Sequence, residues 1–186
     1  MAARSLTLIC ALFAVVLAGC ANKEAIVTLA ETEGIYIDVG ELDYQIQNSR
    51  VINPNIEPDR QYLGGLPEDH VAPKADETYF VVFMRVQNQT DEAHSSADEF
   101  EIIDTQENVY KPIELDPEDN PFAYQSGEVG PGQVYPGGES LTAEGPTQGA
   151  MLLFKLPYST LQNRPLEFKI TPLGSLGEEG IVDLDV

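Results

Sequence analysis

Between Thr78 and Asn88 the chain runs Tyr79, Phe80, Val81, Val82, Phe83, Met84, Arg85, Val86, the most apolar stretch beyond residue 20 and rich in β-branched and aromatic side chains. This composition predicts a central strand of a sandwich. The alternation resolves at its end, where Arg85 and Gln87 face outward while Met84 and Val86 stay on the side of Phe80 and Val82. The same period of two recurs in Ile35, Ile37, Val39, then in Leu42, Tyr44, Ile46, and again in Leu166, Phe168, Ile170. Nowhere do apolar residues return at helical spacing over three turns. An all-β chain is therefore expected.

The segments between these strands carry turn chemistry. Asn53 to Glu77 holds Pro54, Pro58, Gly64, Gly65, Pro67 and Pro73 and reads as a connection, pinned by Tyr62, Leu63 and Leu66. Asn88 to Glu92 is a polar turn. Phe100–Ile103 and Val109–Ile113 read as a hairpin. From Pro112 to Pro146 six Pro and six Gly fall within 35 residues, which predicts a long surface loop system. Met151 to Leu156 is a further strand, and Ile181, Val182, Leu184 and Val186 form either a last edge strand or a frayed end. Many short strands divided by turns point to an antiparallel β-sandwich with long loop insertions over residues 34–186, its core at about 42–171.

The N-terminus has a different character. Arg4 is the only charge before an unbroken apolar run from Leu6 to Leu17, and Ala18, Gly19 and Cys20 follow. Twelve helical residues would span only about 18 Å against a hydrocarbon core of about 30 Å, so residues 1–19 read as a secretory signal peptide and not a membrane span. The tetrad Leu17, Ala18, Gly19, Cys20 resembles the lipobox of bacterial lipoproteins. That resemblance implies cleavage after Gly19 and a diacylglycerol on the Cys20 sulfur, which mounts the chain on the extracytoplasmic face of a cell membrane. The residue types suit the chemistry: a thiolate is a good nucleophile, and Ala18 and Gly19 fit a peptidase cleft. Residues 20–33 are then the lipidated Cys and a tether whose thirteen spacer residues reach at most about 45 Å.

Processing would remove Cys10 and occupy Cys20, the only two cysteines, leaving no disulfide, Cys nucleophile or Cys-based zinc site. All 31 acidic residues but only nine of the ten basic ones follow Gly19, in a chain whose formal charge is −21. Such a body repels nucleic-acid phosphates and anionic headgroups, so no nucleic-acid partner is expected and membrane attachment must be covalent or apolar.

The segments TYFVVFMRVQNQTDE, EFEIIDTQENVYKP, GAMLLFKLP and PLEFKIT, in that order, resemble the telokin-like, immunoglobulin-like sandwich domain of unknown function found in secreted bacterial lipoproteins. Val86, Asn88 and Thr90 match its strand ending at an Asn turn, Tyr110 its hairpin tyrosine, and Leu156 with Pro157 its strand closing on proline. The resemblance spans most of Leu42 to Thr171 and departs from the family at the loop from Pro112 to Pro146. It implies an immunoglobulin-like fold and carries no shared catalytic chemistry.

The residues themselves offer few catalytic groups. His70 and His94, the only histidines, lie in polar connections, and no nucleophile elbow, phosphate-cradling loop or His ligand pair is present. An enzyme is not expected, and neither is a cofactor. Two acidic groups stand out: Asp91, Glu92, Asp98, Glu99 and Glu101, and Asp116, Glu118 and Asp119 with Asn120. They read either as a solvated acidic surface or, for Asp116, Glu118 and Asp119, as hard oxygen ligands for Ca²⁺, although the spacing matches no EF-hand loop. Phe122, Tyr124 and Tyr135 on the Pro-stiffened loop are either partner contacts or rings folded back over an open face of the sandwich. The expected function is a non-enzymatic, lipid-anchored binding or scaffold module engaging a protein or envelope component through loops. A Ca²⁺-binding or sensing domain is the alternative, with a hydrolase behind it.

Overall fold

The computed structural model describes residues 26–143, 148–174 and 177–186. Gly19 and Cys20, with the rest of the expected signal and lipidation segment, lie outside the described residues. The elements in chain order are β1 (Leu29–Ala30), β2 (Tyr36–Val39), β3 (Leu42–Ile52), β4 (Glu77–Gln87), β5 (His94–Ser95), β6 (Glu99–Ile103), β7 (Val109–Tyr110), β8 (Glu128–Val129), β9 (Val134–Tyr135), β10 (Ala150–Pro157), β11 (Leu166–Thr171) and β12 (Gly180–Leu184), with short 3-10 turns at Asp59–Leu63 and Thr160–Gln162. They form the expected all-β sandwich. One sheet has the order β1-β12-β11-β6-β7 and the other β10-β4-β3-β2, with β9 also on β4 and a small β5-β8 ribbon beside them. Pairing is antiparallel except between β1 and β12.

β4 is the centre of the second sheet and is apolar on both faces for a structural reason. Phe80, Val82, Met84 and Val86 face the other sheet, where they meet Ile102, Phe168, Ile170 and Val182 in the main core. Tyr79, Val81 and Phe83 face the opposite way and join Ile52, Met151 and Leu153 in a second core. Tyr62, Leu63, Leu66, Ile113, Leu115 and Phe122, all from the two long connections, roof that second core. The connection from Asn53 to Glu77 is thus pinned by the three residues expected to pin it. The loop from Pro112 to Pro146 is more ordered than its composition suggests. It contributes β8 and β9, and it bridges to β10 at Ile113–Leu153 and Ala123–Met151.

The two roofing connections meet at Gly65, whose φ is +69° and whose missing Cβ would lie 2.4 Å from the Asp116 carbonyl oxygen. Only glycine fits there. A bulge in β3 assigns residues to the two cores: the register to β4 shifts between Ile46 and Asn48, so Gln47 is extra. Leu42, Tyr44 and Ile46 before it belong to the main core, and Ile52 after it belongs to the second.

Two boundaries differ from expectation. Residues 26–33 were expected within the tether, yet β1 pairs with β12, Ala30 is buried in the main core, and Asp38 N donates to the Val27 carbonyl at 2.6 Å. The stretch is too short for its period of two to be visible beside its polar neighbours. The C-terminal apolar residues form neither an edge nor a frayed end. β12 lies between β1 and β11, with Gly180 packed so tightly that a Cβ would sit 2.4 Å from Val39 Cγ2.

Candidate functional site

The loop aromatics expected as candidate partner contacts each pack against the sandwich. Tyr124 stands edge-on to Phe100 (5.1 Å between centroids) and to Tyr135 (5.6 Å), and its hydroxyl donates to the Ala97 carbonyl at 2.7 Å. Burial drives its ionisation well above the usual tyrosine range. Tyr135 pairs with Val86 across β9 and β4, and its hydroxyl accepts from Gln125 N at 3.0 Å. Phe122 packs edge-on to Tyr62 at 5.2 Å in the second core. All three rings fold back against the sandwich, Phe122 over the second core and Tyr124 and Tyr135 against the main core, and each remains half-buried.

The acidic triplet is likewise built into a turn. Asp116 Oδ1 accepts from Glu118 N at 2.9 Å, the Asp116 backbone accepts from Asp119 N and Asn120 N, and Asp116 N donates to the Gly65 carbonyl. Among the described residues no three His, Cys, Asp or Glu side chains converge as a metal site, so Asp116, Glu118 and Asp119 are not brought together as ligands. In the other acidic group, Glu101 is matched by Lys169 (3.5 Å) and Lys111 (3.7 Å). The histidines are apart and engaged: His70 Nε2 is 2.9 Å from the Tyr79 hydroxyl, and His94 Nε2 is 2.9 Å from Thr90 Oγ1. Burial and the nearby Lys155 ammonium lower the His70 pKa.

What the structure leaves open is a groove of about 590 Å³ at the end of the sandwich where β3 finishes and β4 begins. Val51, Ile52, Leu63, Pro54, Pro73 and Tyr158 supply apolar walls, and Asn53 and Asn55 add amides. Val51 is 38% exposed and Tyr158 50%. The walls are held firmly. Asp59, itself 6% exposed, accepts from Arg50 Nη2 at 2.7 Å and from Asn53 N at 2.8 Å. The Arg50 guanidinium, which also lies 5.7 Å from the Tyr62 ring centre, is the main reason the Asp59 carboxyl is held below the usual range. Asn53 Oδ1 accepts from Asn55 N, Tyr158 N donates to the Asp76 carbonyl at 2.8 Å, and Lys155 Nζ donates to the Val71 carbonyl. A rigid apolar cleft with a few fixed amides can bind by shape and desolvation.

A smaller depression of about 310 Å³ lies between Phe100 and Met151, with exposed Asp98 and Glu114 among its lining residues. Phe100 and Met151 in its floor are buried at 3% and 1% exposure, while Pro112, Ile113, Leu115 and Tyr124 in its walls are half-buried. Sequence reasoning missed Val51 and Tyr158. The available signal was the pair Val51–Ile52, two adjacent apolar residues that must face opposite sides of a strand.

No helix among the described residues is long and apolar enough to cross a membrane. No family model and no curated protein matches the chain. Solved structures do match. The yjhA protein from Bacillus subtilis aligns at a TM-score of 0.54 and 10% identity, over 83% of this chain and 99% of that one. A β-sandwich protein from Clostridium difficile 630 aligns at 0.43 and 11% identity, over 84% of this chain and 95% of that one. A candidate lipoprotein of Bacillus subtilis, ycdA, aligns at 0.45 and 11% identity over 80% of this chain, which spans only 38% of that protein. At these identities the likeness, carried by yjhA, is one of fold: the chain has a β-sandwich fold shared with that protein.

Proposed function

We propose that the chain is a lipid-anchored binding or scaffold module on the extracytoplasmic face of a cell membrane, engaging a protein or envelope component and performing no chemistry of its own. The tetrad Leu17, Ala18, Gly19, Cys20 supports the anchor. The observation that carries the binding role is the open groove at the β3–β4 end, where Val51 and Tyr158 remain exposed on a braced frame. Clustered exposed apolar side chains mark interaction surfaces. The non-enzymatic reading is supported by the two histidines, each engaged by a hydroxyl in a different part of the fold.

The test is a photoreactive amino acid at Tyr158 in intact cells, with the exposed Val109 of β7 as the control position. A discrete adduct at Tyr158, absent at Val109 and lost on Val51→Asp, is expected. A lack of any adduct at Tyr158, or the same adducts at both positions, refutes the groove. Failure to incorporate radiolabelled palmitate, or unchanged maturation of Cys20→Ser, refutes the anchor.

A further inference from the structure

Among the described residues eight of the eleven exposed large apolar side chains fall into two groups. Ile26, Val27, Leu29 and Ile35 all fall within the first ten described residues, and four more, Val51, Ile56, Val71 and Tyr158, lie at or beside the groove. Register separates the two groups. Val27 bonds to Asp38, Asp38 pairs with Asp43, and Asp43 pairs with Gln87 at the end of β4, whereas the groove sits against Tyr79. Eight residues of strand put about 26 Å between them.

We propose that the edge carrying Ile26, Val27 and Leu29 rests in the interfacial layer of the bilayer that holds Cys20. This rests on the lipid-anchor reading and adds to it which side of the domain meets lipid. Only the five residues 21–25 separate Cys20 from Ile26, a leash of at most about 20 Å, shorter than the distance to the groove end. The anchored chains therefore bring this edge, and not the far end, to the surface.

The edge is suited to that contact. Ile26, Val27 and Leu29 are 78%, 40% and 59% exposed, while Ala30 turns into the core. The backbone beneath them is already paired: Val27 N donates to Asp38 Oδ2, Asp38 N to the Val27 carbonyl, and Ile181 N to the Thr28 carbonyl. Apolar side chains can then enter the headgroup layer without drawing in unpaired amides. The Asp38 and Glu41 carboxylates nearby make the contact apolar and not electrostatic, so it is stronger on zwitterionic than on anionic lipid, insensitive to salt on the former and strengthened by salt on the latter.

The experiment uses the full lipidated chain in phosphatidylcholine vesicles, with an environment-sensitive fluorophore on Val27→Cys, Leu29→Cys or, as the distant control, Val71→Cys. Doxyl-labelled lipid should quench the first two about threefold more than the third. Ile26→Asp combined with Val27→Asp should abolish quenching of a label at Leu29 while palmitate incorporation is unchanged. Equal quenching at all three positions in chains that carry palmitate overturns the proposal and leaves the anchor standing. Chains that carry no palmitate overturn the anchor reading and the proposal with it.

Discussion

Asn88, Asp104 and Asn120 are polar yet 0%, 4% and 0% exposed, and each gathers loop backbone that would otherwise be unpaired. Asn88 Nδ2 donates to the Glu92 and Val129 carbonyls, and its Oδ1 accepts from Thr90 N and Oγ1. Asn120 Nδ2 donates to the Tyr62 and Gly64 carbonyls and its Oδ1 accepts from Phe122 N. Asn88→Ala strands several buried partners at once and should cost about 2–3 kcal/mol in urea denaturation. Burial works against the Asp104 carboxylate, but hydrogen bonds from Asn108, Asn163 and the Gln106 amide outweigh it and hold its pKa low. Asp59 is held low chiefly by Arg50. Stability from both is present above the unfolded carboxylate pKa and is lost as pH falls through the lower folded values. Acid unfolding should therefore begin below about pH 4, at higher pH in Asp59→Asn. Tyr44 gives the opposite sign. Burial pushes it up to about 12, against the hydrogen bond from Ala97 N. Its contribution is complete below pH 10 and fades as pH rises toward 12, which tyrosinate absorbance followed alongside unfolding would register.

At the level of elements, the bulge at Gln47 lets one strand serve two cores. Deleting Gln47 removes the extra residue and leaves Ile46 opposite Met84 and Ile52 opposite Tyr79, so both side chains keep their cores and the deletion should cost less than Ile52→Ala, itself about 2–4 kcal/mol by denaturant unfolding. Phe122 tests the roof in the same assay. As a packed ring its replacement by Ala should cost about 2–3 kcal/mol, whereas a free contact residue would change stability by less than about 0.5 kcal/mol. β4 was legible from Tyr79 to Val86 because eight residues carry both composition and alternation. The bulge was not, because Gln47, Asn48 and Ser49 are polar and give no phase. β9 escaped notice for a related reason: two residues between Gln133 and Pro136 have no period, and they are strand only because β4 extends past β10 to receive them.

For the whole molecule, the sandwich has two unlike ends, one carrying the N-terminal apolar edge and one the open groove. Unlike β1, β5, β8 and β9, the longer strands β2, β3, β4, β6, β10 and β11 came from the sequence by itself, since a period of two or a dense apolar run needs no knowledge of neighbours. So did the N-terminal tetrad, whose chemistry is local to four consecutive residues. Tertiary structure alone decided which aromatic rings are available. Phe122, Tyr124 and Tyr135 look free on a Pro- and Gly-rich loop, yet the apolar underside of β4 and the gap beside Phe100 take them up, while Val51 and Tyr158, 107 positions apart in the chain, are left facing solvent together. Burial of a side chain depends on what lies across from it, and contacts between residues so distant in sequence leave no local trace.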